Sequence, residues 1–166
     1  MSVKADPGGF PQRRCPEVCS VSGPQMRDVQ RVALEEFGFD ILQITGNGAR
    51  AAASLGLAML GAKGRGQRVV MLCGGGNKGA TGLAAARHLA NFGFRVDPVL
   101  GVVEEDISFT ARRQIQILRE AGILEPADLE STELTLEDQL AAADLVVDAP
   151  VGYGPDGPPT GIAPAI

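Results

Sequence analysis

Tryptophan is absent, tyrosine occurs once, and aromatic residues make up 4% of the 166 positions, so any core this chain builds is aliphatic. Cysteine is scarce as well. Cys15, Cys19 and Cys73 are an odd number, and a chain of this length buries enough surface without covalent staples, so no disulfide framework is expected. A zinc reading of Cys15 and Cys19 lacks the second Cys or His pair that four-coordinate zinc needs, which leaves them as loop thiols. Charge of either sign is never concentrated: 15 Lys and Arg face 20 Asp and Glu for a net charge of −5, with no long run of like charge. Nucleic acid is therefore not an expected partner. No apolar stretch approaches the roughly 18 residues that span a bilayer, and the first residues lack the apolar stretch of a secretory signal. The expectation is a soluble, cytoplasmic chain with no membrane partner.

What the chain does have is 45% hydrophobic residues, 22 glycines and 11 prolines, a composition that suits an α/β sheet with tight turns. Residues 1–21 carry prolines and adjacent glycines without apolar periodicity, and read as a flexible arm before a single domain at 22–166. Met26, Val29, Ala33 and Phe37 recur at helical spacing after Ser22, a capping residue, and before Gly38. A second helix is expected from about Gln43 to Leu60, with Ile44, Ala51, Leu55, Ala58 and Met59 on its inward face. RVVMLC at 68–73 is a short continuous apolar run, the pattern of a strand buried on both faces. The glycine-rich segment 74–82 then leads into a helix starting near Gly82, with Leu83, Ala86, Leu89 and Ala90 inward. Strand 94–100 follows, and Pro98 assigns it to an edge or to a strand end. Ile107, Ala111, Ile115, Leu118 and Ala121 mark another helix. Thr135 and Asp138 form a capping-box pattern before the third strand, DLVVDA at 144–149. Strands alternating with helices predict a parallel sheet with right-handed crossovers.

In such a sheet, ligands bind beyond the carboxyl ends of the strands. If strand 68–73 lies beside strand 144–148, the loops 74–82 and 149–161 flank one crevice. GGGNKGATG reads either as a phosphate cradle at a helix N-terminus or as a tight strand-to-helix turn that needs small residues. It has neither the P-loop nor a good dinucleotide spacing, although Glu104 and Glu105 fall at the end of the second strand. Asp148 is placed to hold a cation or a ligand hydroxyl, or to cap loop amides. Lys78 is open to three roles: binding phosphate, pairing with Asp148, or simple solvation. His88, within a helix among alanines and with no nucleophile beside it, reads as a packing or surface residue.

Three ordered segments carry a family resemblance: VSGPQMRDVQRVALEEFGFDILQITGNGAR, GGGNKGATGLAAARHLANFGFRV and DLVVDAPVGYGPDGPPTG. They resemble the opening helices, the G-P-G-N-N-G-G-D-G-L-x-A-A-R-H-L segment and the V-D-A-x-x-G-x-G segment of the NAD(P)H-hydrate epimerase family, the YjeF N-terminal domain. The resemblance implies a three-layer α/β/α sandwich with a Rossmann-like, mostly parallel sheet. It also implies interconversion of the R and S epimers of hydrated NADH or NADPH in nicotinamide cofactor repair. Asn77, Lys78, Gly79, Ala80 and Thr81 occupy the family's ligand-binding stretch. Gly152, Tyr153, Gly154, Pro155, Asp156, Gly157 and Pro158 occupy its second ligand loop.

Thr81 stands where the family's acid/base Asp acts, which makes it the catalytic candidate by position; Gly46 replaces a family Glu. Asp148 matches a potassium ligand and Lys78 replaces the Asn that also binds potassium, so the metal positions are Lys78 and Asp148. A charge-replacement reading has the Lys78 ammonium take the potassium ion's place and pair with Asp148. Two functional readings follow: an epimerase, and a nucleotide-binding or protein-interaction module of the same fold without turnover. The family's next strand and its V-D-x-P-S-G segment fall beyond Ile166. The chain therefore reads as a fragment, or as a short form whose sheet edge is covered by a partner chain in a homodimer.

Overall fold

A computed structural model describes residues 20–61, 66–102, 104–124 and 135–153. The expected arm lies outside these residues save its last two positions, as do Cys15 and Cys19. The element order is α1 (Gly23–Glu35), α2 (Ile41–Leu60), β1 (Arg68–Cys73), α3 (Asn77–Asn91), β2 (Arg95–Leu100), a short 3-10 turn (Glu104–Asp106), α4 (Phe109–Glu120), α5 (Leu136–Ala141) and β3 (Leu145–Ala149). The strands form a parallel sheet in the order β2-β1-β3. This is an α/β, Rossmann-like sandwich.

The continuous apolar run of β1 is explained by its central place: Val69, Val70, Met71 and Cys73 are fully buried although they point alternately to opposite faces of the sheet. Val69, Met71 and Cys73 share a face with Val96, Leu100, Leu145 and Val147, and α3 covers it with Ala80, Leu83, Ala86 and Leu89. β2 and β3 each pair only with β1 among the described residues, which places Pro98 in an edge strand, where a missing ladder donor is tolerated.

Local chemistry sets most helix ends. Ser22 with Gln25, Asp40 with Gln43, and Thr135 with Asp138 form reciprocal capping boxes, and Gly61, Gly93 and Gly122 take positive φ after α2, α3 and α4. Packing decides the rest. The inward face expected of α2 is corrected: Thr45, Ala49, Ala53 and Gly56 are buried, whereas Leu55 and Met59 are about half exposed. This stripe of small residues lets α2 lie close along α3. A Cβ placed on Gly56 would come within 3.3 Å of Leu89 and Leu145 side-chain atoms.

Candidate functional site

β1 and β3 end side by side, as the crevice requires, and Gly74 N–H donates to the Ala149 carbonyl at 3.2 Å to close their carboxyl ends together. The chain then turns within three residues, Gly74 to Gly76, and α3 begins at Asn77 rather than near Gly82. Asn77, Lys78, Gly79, Ala80 and Thr81 therefore lie on the opening turns of a helix and not in a loop. The reason is close approach: a Cβ on Gly79 would stand 1.7 Å from the Gly74 carbonyl oxygen, and one on Gly82 would stand 2.9 Å from both Cys73 Sγ and Ala149 Cβ. Glycines that weaken a helix by propensity are kept here because only they let it dock on the strand ends.

The α3 N-terminus has no side-chain cap, since Gly76 holds the N-cap, and its first turn carries no acidic residue. Its leading amides and partial positive charge face the crevice, with the exposed Lys78 beside them. The β2–α4 connection braces the other side. Ser108 N–H donates to the Gly75 carbonyl at 2.8 Å, and a Cβ on Gly75 would meet the Asp106 carbonyl oxygen at 2.5 Å. The carboxylates of Glu105 and Asp106 are exposed at this rim, close to where an acidic residue was expected.

From the β3 side, a Cβ on Gly152 would lie 3.5 Å from Lys78 Cβ, so the two segments expected to bind the ligand meet. Tyr153 follows, a residue 44% exposed. Gly154, Pro155, Asp156, Gly157 and Pro158 lie outside the described residues. Thr81 is half-buried. Its hydroxyl donates to the Asn77 carbonyl at 2.9 Å, and its Cγ2 lies 3.2 Å from the place a Cβ would take on Gly48 of α2. That internal hydrogen bond and the hydroxyl's high intrinsic pKa leave Thr81 able to hydrogen-bond a ligand and unable to accept a proton near neutral pH.

Asp148 and Lys78 are both exposed and form no ion pair with each other among the described residues. Nor do they fit together as ligands of a cation: an ammonium has no lone pair to give, and no group of three or more His, Cys, Asp or Glu side chains converges among the described residues. Three neighbours of the site are unmarked by any motif: Gly48, which faces Thr81, and Arg27 and Gln30 of α1, which hold Tyr153. The last two lie more than 120 residues from Tyr153 in the chain, beyond the reach of any spacing rule.

Two groups outside the crevice are structural. Burial pushes the Cys73 thiol up to about 12, which makes it inert. His88, the chain's single histidine, is held below its ordinary value first by burial and then by Arg87 and Arg50. Its NMR titration midpoint is therefore expected below the unperturbed value of about 6.5. The unfolded chain takes up this proton first, so stability begins to fall as pH drops past that value and keeps falling until the folded imidazole titrates. A midpoint at or above the unperturbed value contradicts this account.

A family model described as YjeF-related protein N-terminus matches residues 42–166. An NAD(P)H-hydrate epimerase of Dehalogenimonas lykanthroporepellens is 37% identical over 146 residues, covering 87% of this chain and 56% of that protein. A bifunctional NAD(P)H-hydrate repair enzyme Nnr of Moorella thermoacetica is 32% identical, covering 88% of this chain and 28% of that protein. The chain thus spans about half or less of the length of these curated relatives. Among solved structures, that of yeast ynu0 superposes with a TM-score of 0.63 at 18% identity, over 86% of this chain and 60% of that one, a likeness of fold.

Proposed function

The chain belongs to the family of YjeF-related protein N-termini, and from that premise we propose that it is an NAD(P)H-hydrate epimerase-like protein of nicotinamide cofactor repair. The observation that carries the reading is the meeting of two segments at the strand carboxyl ends: the uncapped N-terminus of α3 with Lys78, and Gly152 with Tyr153. A helix N-terminus beside an ammonium suits the diphosphate of a hydrated dinucleotide, and the rim carboxylates of Glu105 and Asp106 suit its ribose hydroxyls. In this reading Asn77, Lys78, Thr81, Gly152 and Tyr153 contact the ligand, whereas Gly79 and Ala80, predicted with them, are buried and serve to dock α3 on the strand ends. Thr81 hydrogen-bonds near the reacting carbon, and Lys78 supplies a tethered positive charge in the place of potassium.

The protein so read is a cytoplasmic homodimer. Its support is an apolar groove of about 480 Å³ on α1, lined by Val29, Val32, Ala33, Phe37 and Phe39, which a second copy would cover.

The second reading, a binding module without turnover, is favoured by the committed hydroxyl of Thr81. One experiment separates them. Purified protein is added to resolved R or S NADPH hydrate and the approach to the epimer mixture is followed by NMR, with calorimetry for affinity. Acceleration above the spontaneous rate supports the enzyme, and binding without acceleration supports the module. In either case Lys78→Glu is expected to weaken binding by about tenfold, because it replaces attraction at the anion site with repulsion. Exchange of potassium for choline is expected to leave binding unchanged. Undiminished affinity in Lys78→Glu would remove the proposed pocket, and sedimentation as a monomer would remove the dimer.

A further inference from the structure

Helix α1 is amphipathic, yet its apolar side is only partly covered. None of its residues is buried, and Met26 and Val29 on its apolar side are 38% and 53% exposed. Its half-buried residues are Val32 and Ala33 on that apolar side and, on another face, Gly23, Arg27, Gln30 and Leu34, spaced as successive turns of the helix. Two of these are polar, and both reach the same residue. Arg27 Nη1 donates to the Tyr153 carbonyl at 3.1 Å, the Tyr153 phenol donates to Gln30 Oε1, and Gly23 lies alongside, the Tyr153 carbonyl oxygen 3.7 Å from where a Cβ there would stand. Tyr153 is thus clasped at its backbone and at its phenol by one helix, while the residue before it abuts Lys78.

We propose that Arg27 and Gln30 are positioning residues: α1 is a strap that fixes Tyr153, and through it the Gly152 backbone, against the N-terminus of α3. The inference rests on the reading of this segment as a ligand loop and deepens it by naming what holds the loop. A tyrosine fixed at both ends keeps the partly exposed face of its ring open for a planar group of the ligand, with little rotamer freedom left to lose on binding. Because Gln30 touches Tyr153 and not the reacting atoms, its loss acts on binding and leaves the chemical step alone.

The chain offers a direct probe, since Tyr153 is its only tyrosine. Protein labelled with 3-fluorotyrosine gives one fluorine resonance, which reports the clasp before any ligand is added. Gln30→Leu is expected to shift that resonance and to weaken binding of NADPH hydrate by about three- to tenfold, the usual reach of one hydrogen bond. Where turnover is measurable, KM rises by the same factor with kcat unchanged. Gln30→Glu keeps the acceptor oxygen and restores both signals. A resonance unmoved in Gln30→Leu overturns the strap. A moved resonance with wild-type affinity overturns its positioning role. If the wild type binds no hydrate, the ligand-loop reading itself fails and takes the positioning role with it, while the fluorine shift still shows whether the clasp exists.

Discussion

Gly79→Ala is expected to destabilise the protein by about 3 kcal/mol or more, at or above the upper end of the usual range for overpacked positions. The added methyl would stand 1.7 Å from the Gly74 carbonyl oxygen, a backbone atom that is itself fixed, because Gly74 donates to Ala149 and would meet the Pro150 carbonyl oxygen at 1.9 Å were it to carry a Cβ. No flexible side chain is available to yield, so α3 must lift from the ends of β1 and β3. For a chain of this size the loss corresponds to a fall in Tm of about 6–12 °C. The same substitution at Gly46 is the control. That glycine lies inside α2 with nothing within 4 Å of its missing Cβ, and alanine there is expected to raise stability by about 0.5–1 kcal/mol through helix propensity alone. Melting curves of the two variants decide the matter, and a Gly79→Ala protein that melts with the wild type would show that α3 does not dock as described.

Thr81→Asp is expected to raise hydrate epimerisation by about 100-fold or more over the wild type, the usual contribution of a positioned acid/base group. The wild-type hydroxyl is tied to the Asn77 carbonyl and cannot accept a proton at neutral pH, so position 81 gives the proposed site no acid/base group. Aspartate is close to threonine in volume, and Gly48, opposite, has no Cβ to crowd the side chain. The position is one turn into α3, where the helix N-terminus favours a carboxylate. Epimer ratios followed by NMR against the spontaneous background give the result. A variant no faster than the wild type would mean that a carboxylate at position 81 is not what the crevice lacks, and that the loss of chemistry lies elsewhere in the site.

The sequence made the strands legible because each obeys a short-range rule. After Arg68, β1 is apolar throughout since it is sealed on both faces, and the apolar run of β3 alternates in burial, Leu145 and Val147 facing α3 while Val146 and Asp148 are exposed. Capping boxes at Ser22, Asp40 and Thr135 likewise act over three residues. The start of α3 was misplaced by five residues because glycine's low helix propensity points one way and the need for contact at Gly79 and Gly82 points the other. The second consideration is invisible until β3 is known to lie beside β1. The inward face of α2 was misread for a related cause: hydrophobicity nominated Leu55 and Met59, whereas the close approach of α3 selected Ala49, Ala53 and Gly56 for their size.

The residues of the site divide along the same line. By itself the sequence determined the parallel α/β plan and the family, and it placed the two segments proposed to bind the ligand, all of which are encoded in contiguous pattern. Only the tertiary structure decided that Lys78 meets Gly152 rather than Asp148, that Thr81 spends its hydroxyl on its own helix, and that α1 clasps Tyr153. These are contacts between segments far apart in the chain, set by which face each helix can bring close to the sheet, and close approach depends on the volumes of both partners at once.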